Sequence, residues 1–98
     1  MAKYKSKLDK EIELTDERLK HILAFHPEIE EHVDKFGEVL LVPDEIRRSP
    51  ADKKVLLFHK SFANIGTGRY LRIAVKTNDR WFVLTAYFTR RLIGEVYE

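Results

Sequence analysis

Apolar residues recur with a helical period up to about Leu41 and with a period near two from Glu45 onward, so the chain divides into a helical part and a sheet-forming part. A first helix opens at Thr15, whose hydroxyl suits an N-cap. Asp16 and Glu17 follow in the first turn, and Leu14 is placed to pack on Leu19. Leu19, Ile22 and Leu23 form its buried stripe, and it ends near Phe25, because the residue before Pro27 is driven out of the helical region. Pro27 fits the first position of a second helix. Glu28, Glu30 and Glu31 load its first turn with acid, while Ile29, Val33 and Phe36 share one face. That helix stops at Gly37 or runs on to Leu41, ahead of Pro43.

Four β-prone runs follow: Glu45 to Ser49, Lys54 to Lys60, Arg69 to Lys76 and Arg80 to Thr89, separated by Ser49–Asp52, Ser61–Gly68 and Thr77–Asp79. Short connections predict antiparallel neighbours in a meander. The lysine-rich residues 1–13 are expected to form a flexible N-terminal segment, with Glu11 to Leu14 as a short edge strand, ahead of a single domain over 14–98. The tail from Arg90 holds a break at Gly94 and reads as a helical turn followed by a last short strand. The expected fold is α+β, two N-terminal helices packed on a four-stranded antiparallel sheet.

Alternation then sorts the last two strands into faces. Leu71, Ile73 and Val75 oppose Tyr70, Arg72, Ala74 and Lys76; Phe82, Leu84, Ala86 and Phe88 oppose Trp81, Val83, Thr85 and Tyr87. Turning the apolar faces to the helices gathers Arg72, Lys76, Thr85 and Tyr87 on the open face. Two cations, a hydroxyl and a phenol suit a metal-free phosphodiester site, and the rings of Trp81 and Tyr87 suit base stacking. A solvent-facing sheet carries the same residue types for structural reasons alone, since Thr and Tyr form strands well.

Charge sharpens this picture. Residues 1–43 carry 7 Lys/Arg against 10 Asp/Glu and residues 44–98 carry 11 against 6, so the sheet half is positive and favours a phosphate-bearing partner. Arg47, Lys60 and Arg90 are further cations for such a substrate. The chain has no cysteine, which excludes disulfides and thiolate chemistry and fits a reducing cytoplasm, and it has no apolar run long enough for a membrane. At 98 residues one core does all the stabilising, so a ligand, a partner or a second copy in a homodimer would add burial.

Among His21, His26, His32 and His59 no pair has zinc spacing, and no metal or other cofactor is expected. His26, before Pro27 at a helix junction, is the best proton-transfer candidate, and a structural role is the competing reading for each histidine. Gly66-Thr67-Gly68 joins two strands without the helix that a nucleotide-binding loop needs, and reads as a hairpin loop touching substrate.

Leu14-Thr15-Asp16-Glu17-Arg18, His21-Ile22-Leu23, His26-Pro27-Glu28, Pro43-Asp44-Glu45-Ile46, Val75-Lys76 and Thr85-Ala86-Tyr87 with Thr89 follow in an order that resembles one family. It is the phage-associated nuclease domains grouped with barnase, EndoU, colicin and RelE-type ribonucleases, the BECR or PBECR superfamily. The resemblance spans most of residues 14–91. It implies helices on a four-stranded antiparallel sheet, metal-independent endoribonuclease activity on tRNA, mRNA or ribosome-associated RNA, and a toxin role checked by an antitoxin or immunity protein. It also implies that a histidine or basic residue from the helical region, a basic residue from a middle strand and a hydroxyl residue from a late strand converge. Those are His21 or His26, Lys76 supported by Arg72, and Thr85 supported by Tyr87. The rival classes are a non-catalytic nucleic-acid-binding module, which would tolerate loss of any histidine, and a protein-interaction domain using Val39–Val42 and Trp81 as an apolar strip.

Overall fold

The computed structural model describes residues 1–63, 65 and 69–98, so the expected substrate contact of Gly66-Thr67-Gly68 lies outside the described residues. The strands are β1 (Ala2–Lys5), β2 (Glu11–Leu14), β3 (Glu45–Arg48), β4 (Val55–Ser61), β5 (Tyr70–Thr77), β6 (Trp81–Thr89) and β7 (Glu95–Val96). Helix α1 covers Asp16–Phe25, a 3-10 segment Pro27–Lys35, and helix α2 covers Phe36–Leu41.

The expected four-stranded antiparallel sheet is corrected to a seven-stranded mixed one, in the order β1-β2-β6-β5-β4-β3-β7. The meander β3 to β6 forms as its short connections predict, and β1, β2 and β7 extend it. Strand β2 is not an edge: it runs parallel to β6 through Ile12–Trp81 and Glu13–Phe82, and β1 pairs outside it. The lysine-rich N-terminus is itself the edge strand. Ala2 and Tyr4 pack on the core while Lys3 and Lys5 occupy the alternate positions, and charged side chains blunt an exposed edge against further pairing. Ser6 closes the β1–β2 turn by accepting from the Leu8 and Lys10 N–H groups, and the Lys7 N–H ties the turn to the Leu40 carbonyl.

Helix α1 starts and stops where its sequence dictates. Thr15 Oγ1 accepts from the Arg18 N–H at 3.1 Å, and His26 closes the other end. The second helix differs: the acid-rich Pro27–Lys35 stretch winds as a 3-10 segment with Ile29 buried, and the α-helix begins only at Phe36, where Phe36, Val39 and Leu40 turn into the core. Together α1, the 3-10 segment and α2 cover the sheet face that carries Leu56, Phe58, Leu71, Ile73 and Val75.

The alternation of β6 breaks once. Ala74 pairs with Thr85 but Val75 pairs with Val83, so Leu84 is one residue too many on its strand. Such a bulge reverses the faces on one side of itself. Val83 is therefore core rather than open-face, and Trp81 packs against the helix-side core, which removes it as a base-stacking ring on the open face. Leu84 crosses to the open face and joins Val55, Leu57 and Ala74 in a small second cluster.

This phase yields a test. Val83→Thr places a hydroxyl with no partner in the core and is expected to cost about 1–3 kcal/mol, whereas Thr85→Val on the half-buried open face stays within about 0.5 kcal/mol. Urea denaturation of both variants measures it, and equal small effects would mean that β6 carries no phase break.

Candidate active site

Arg72 sits in the middle of β5 on the face away from the helices, and it is only 4% exposed. Its guanidinium makes three bonds: Nε donates to His59 Nε2 at 2.8 Å, Nη1 to the Tyr87 hydroxyl at 3.0 Å, and Nη2 to the Arg91 carbonyl at 2.5 Å. His59 and Tyr87 are its cross-strand partners on β4 and β6, so sheet register alone brings the three side chains together. Beyond Phe82, among the described residues, no strand pairs with the outer side of β6, and α1 packs against this strand instead. His26, at the end of α1, thereby reaches Tyr87, and the two rings stack with centroids 5.3 Å apart.

The outcome is a continuous line His26–Tyr87–Arg72–His59, exposed at one end and buried at the other. The His26 side chain is 34% exposed, and its Nδ1 lies 3.8 Å from a Glu28 carboxylate oxygen. Glu28 is thus within ion-pairing reach of a protonated His26 ring. At the far end His59 is fully buried. Because its Nε2 accepts from Arg72, the neutral ring carries its proton on Nδ1, which lies by the Glu45 and Leu57 backbone without a well-formed hydrogen bond among the described residues. Burial, reinforced by the Arg72 guanidinium, pushes the His59 pKa down to about 4.

Lys76 shares the open face but does not converge with Arg72. The two lie four residues apart on β5, roughly 13 Å by strand rise, and Lys76 forms an ion pair with Asp52. The hydrogen bond from Lys76, helped by the Lys54 N–H, holds the Asp52 carboxyl below its usual range. Thr85 stands between, opposite Ala74. His21 is exposed on α1 with its ring 4.8 Å from Phe25, on the helix before the His26 junction. Arg47 bonds Glu45 and the Gly94 carbonyl, and Lys60 bonds the Val42 carbonyl that ends α2; Arg90 is exposed where β6 ends. Asp44, in the Pro43–Ile46 motif, accepts from the Ser61 N–H and hydroxyl and so has a structural task.

The residue that sequence reasoning left without a role is His59. Its signal was present: Val55, Leu57 and His59 alternate on one face of a strand otherwise almost wholly apolar, so His59 is the one member with a ring to hydrogen-bond. Phe25 was also passed over; it is 69% exposed, beside His21.

Two hollows lie away from this line. A cleft of about 960 Å³ opens where β2 leaves β6, between Arg18 of α1 and the β5–β6 turn, with Lys54 and Arg80 on its rim. A shallower hollow of about 340 Å³ shares Thr15 and Arg18 with it and reaches His21. The cleft is the larger of the two and brings Arg80 against Glu13, with Lys54 and Asp79 also in its lining, whereas the line ending at His26 is where a histidine meets a hydroxyl residue and a buried cation. Among the described residues no cluster of three His, Asp or Glu side chains is arranged to hold a metal ion, and no helix is long and apolar enough to cross a membrane.

No family model, no curated protein and no solved structure matches this chain.

The buried His59 makes stability depend on pH. In an unfolded chain this ring protonates near 6.5, and in the folded chain only near 4. The unfolded state therefore binds more protons between those values, and stability, complete above that window, falls as pH drops through it by on the order of 3 kcal/mol. His59→Gln, whose carbonyl can still accept from Arg72, is expected to lose about 2 kcal/mol less than the parent between about pH 7 and about pH 4.5 in urea denaturation. Parallel curves would place a solvated imidazole at this position.

Proposed function

We propose that this chain is a metal-independent endoribonuclease of the toxin type, related in its chemistry to the BECR nucleases it resembles. One observation carries the reading: a histidine from the helical region, a hydroxyl residue from a late strand and a basic residue from a middle strand meet in the line His26–Tyr87–Arg72. That is the convergence the resemblance implies, with Tyr87 and Arg72 in the roles first given to Thr85 and Lys76.

Each group has a task in RNA cleavage. His26 takes the proton from the ribose 2′-hydroxyl, and the adjacent Glu28 carboxylate stabilises the imidazolium that results. The 2′-oxygen attacks phosphorus and the bond to the 5′-oxygen breaks, leaving a 2′,3′-cyclic phosphate. Tyr87 accepts from Arg72, so its own O–H points elsewhere and is free to donate to the phosphate or to the departing 5′-oxygen. While the Arg91 carbonyl occupies its Nη2, Arg72 acts through Tyr87 as a positioning residue. Phe25, exposed beside His21, takes the stacking role expected of Trp81. An antitoxin or immunity protein is the partner this reading calls for.

A non-catalytic nucleic-acid-binding module is the second reading. It is favoured by the engagement of both strand cations, Arg72 by Arg91 and Lys76 by Asp52. Purified protein incubated with total RNA in excess EDTA separates the two. The nuclease produces defined cuts with 2′,3′-cyclic or 3′-phosphate ends, reduced at least roughly ten-fold by His26→Ala and less by Lys76→Ala, in variants with unchanged circular dichroism. Intact RNA, bound with an affinity that falls steeply with salt and ignores His26→Ala, would establish the module instead.

A further inference from the structure

The segment Arg90–Gly94 leaves the end of β6, crosses the open face over β5 and β4, and delivers β7 to the outer side of β3. Beneath it lies a charge arrangement that is unusual for a folded interior. Arg72 is buried with three neutral acceptors and, among the described residues, no carboxylate; beside it the His59 ring is fully buried. A buried guanidinium is ordinarily matched by an anion, because leaving the charge uncompensated costs several kcal/mol per ion.

The crossing segment is attached lightly. Among the described residues its polar fastenings are Arg72 Nη2 to the Arg91 carbonyl, Arg47 Nη1 to the Gly94 carbonyl, the Arg91 N–H to Thr89 Oγ1 and a long contact of 3.4 Å from the Thr89 hydroxyl to the Arg91 carbonyl. Arg91 and Ile93 are exposed, and the two residues of β7 are exposed as well. It therefore rests on hydrogen bonds more than on apolar burial. Gly94 is what lets it lie flat: φ is +86°, and a Cβ there would stand 1.9 Å from the Arg48 carbonyl oxygen.

We infer that Arg90–Gly94 is a displaceable strap over a latent oxyanion site formed by Arg72, Tyr87 and His59, in which the Arg91 carbonyl oxygen holds the place of a phosphate oxygen. With the strap lifted, Arg72 Nη2 regains a donor for an anion, and Nη1 and the Tyr87 hydroxyl flank the same spot. The neutral His59 ring matches this use, since it accepts from Arg72 without adding a second charge, and a bound anion beside it would favour its protonation. The identity of the anion as an RNA phosphodiester rests on the ribonuclease reading; the existence of the site does not.

The test uses the full chain with inorganic phosphate as probe. Gly94→Ala forces the strap off the Arg48 carbonyl, seen as faster amide exchange at Tyr97, whose N–H bonds the Ile46 carbonyl. Phosphate is then expected to bind Gly94→Ala at least roughly ten-fold more tightly than the parent, the worth of about one charge-assisted hydrogen bond. Binding raises the His59 titration midpoint read by NMR, and Arg72→Gln in the same background abolishes both effects; if that variant does not fold, Tyr87→Phe weakens them. Equal binding by Gly94→Ala and parent, or a Tyr97 amide as protected in Gly94→Ala as in the parent, overturns the inference. Phosphate binding without RNA cleavage keeps the site and removes the nuclease reading, while cleavage with phosphate binding indifferent to Gly94→Ala and Arg72→Gln does the reverse.

Discussion

Strands β5 and β6 pair out of step by one residue at Ala74–Val75, and much of the molecule depends on that offset. On one side of it Trp81 and Val83 turn to the helices, and on the other Ala86 and Phe88 do. Without the extra residue one of these pairs would face away from the core, and the sheet would have to choose between burying its turn end and burying its C-terminal end. The offset reconciles them, and it leaves Tyr87 on the open face opposite Arg72, where its hydroxyl meets the guanidinium.

Around Arg72 the structure trades charge compensation for position. Both of its strand neighbours supply a side-chain acceptor, and the third comes from a backbone carbonyl far along the chain. None of the three is charged, so the guanidinium keeps its full positive field in a dry location while being held at three points. A carboxylate in the same place would have stabilised the fold more simply and cancelled that field. The line of contacts conveys this constraint outward, from a histidine without solvent access to a histidine with it, across one phenol.

Much of this was legible before any coordinates. The cap at Thr15, the end of α1 before Pro27, the four meander strands and the open-face placement of Arg72, Lys76, Thr85 and Tyr87 follow from local rules that the folded chain obeys. Three things were not. A bulge leaves no mark in an apolar alternation such as Trp81–Phe88, where both phases look hydrophobic. The lysines of β1 resemble those of a solvated tail, because an edge strand uses the same residues to stay unpaired. His59 needed the register of β4 on β5 before its partner could be named, and register is a tertiary property.

The parallel pairing of β2 with β6 carries a consequence for how the chain reaches this state. Ile12 and Trp81 are neighbours in space although most of the sequence separates them, whereas the meander joins strands across short turns. Closing the long loop restricts far more chain than closing any hairpin, and among the described residues just two ladder pairs, Ile12–Trp81 and Glu13–Phe82, join the strands. The β1–β2 hairpin, made before the rest of this domain, therefore lacks its partner strand until almost the last strand has been made.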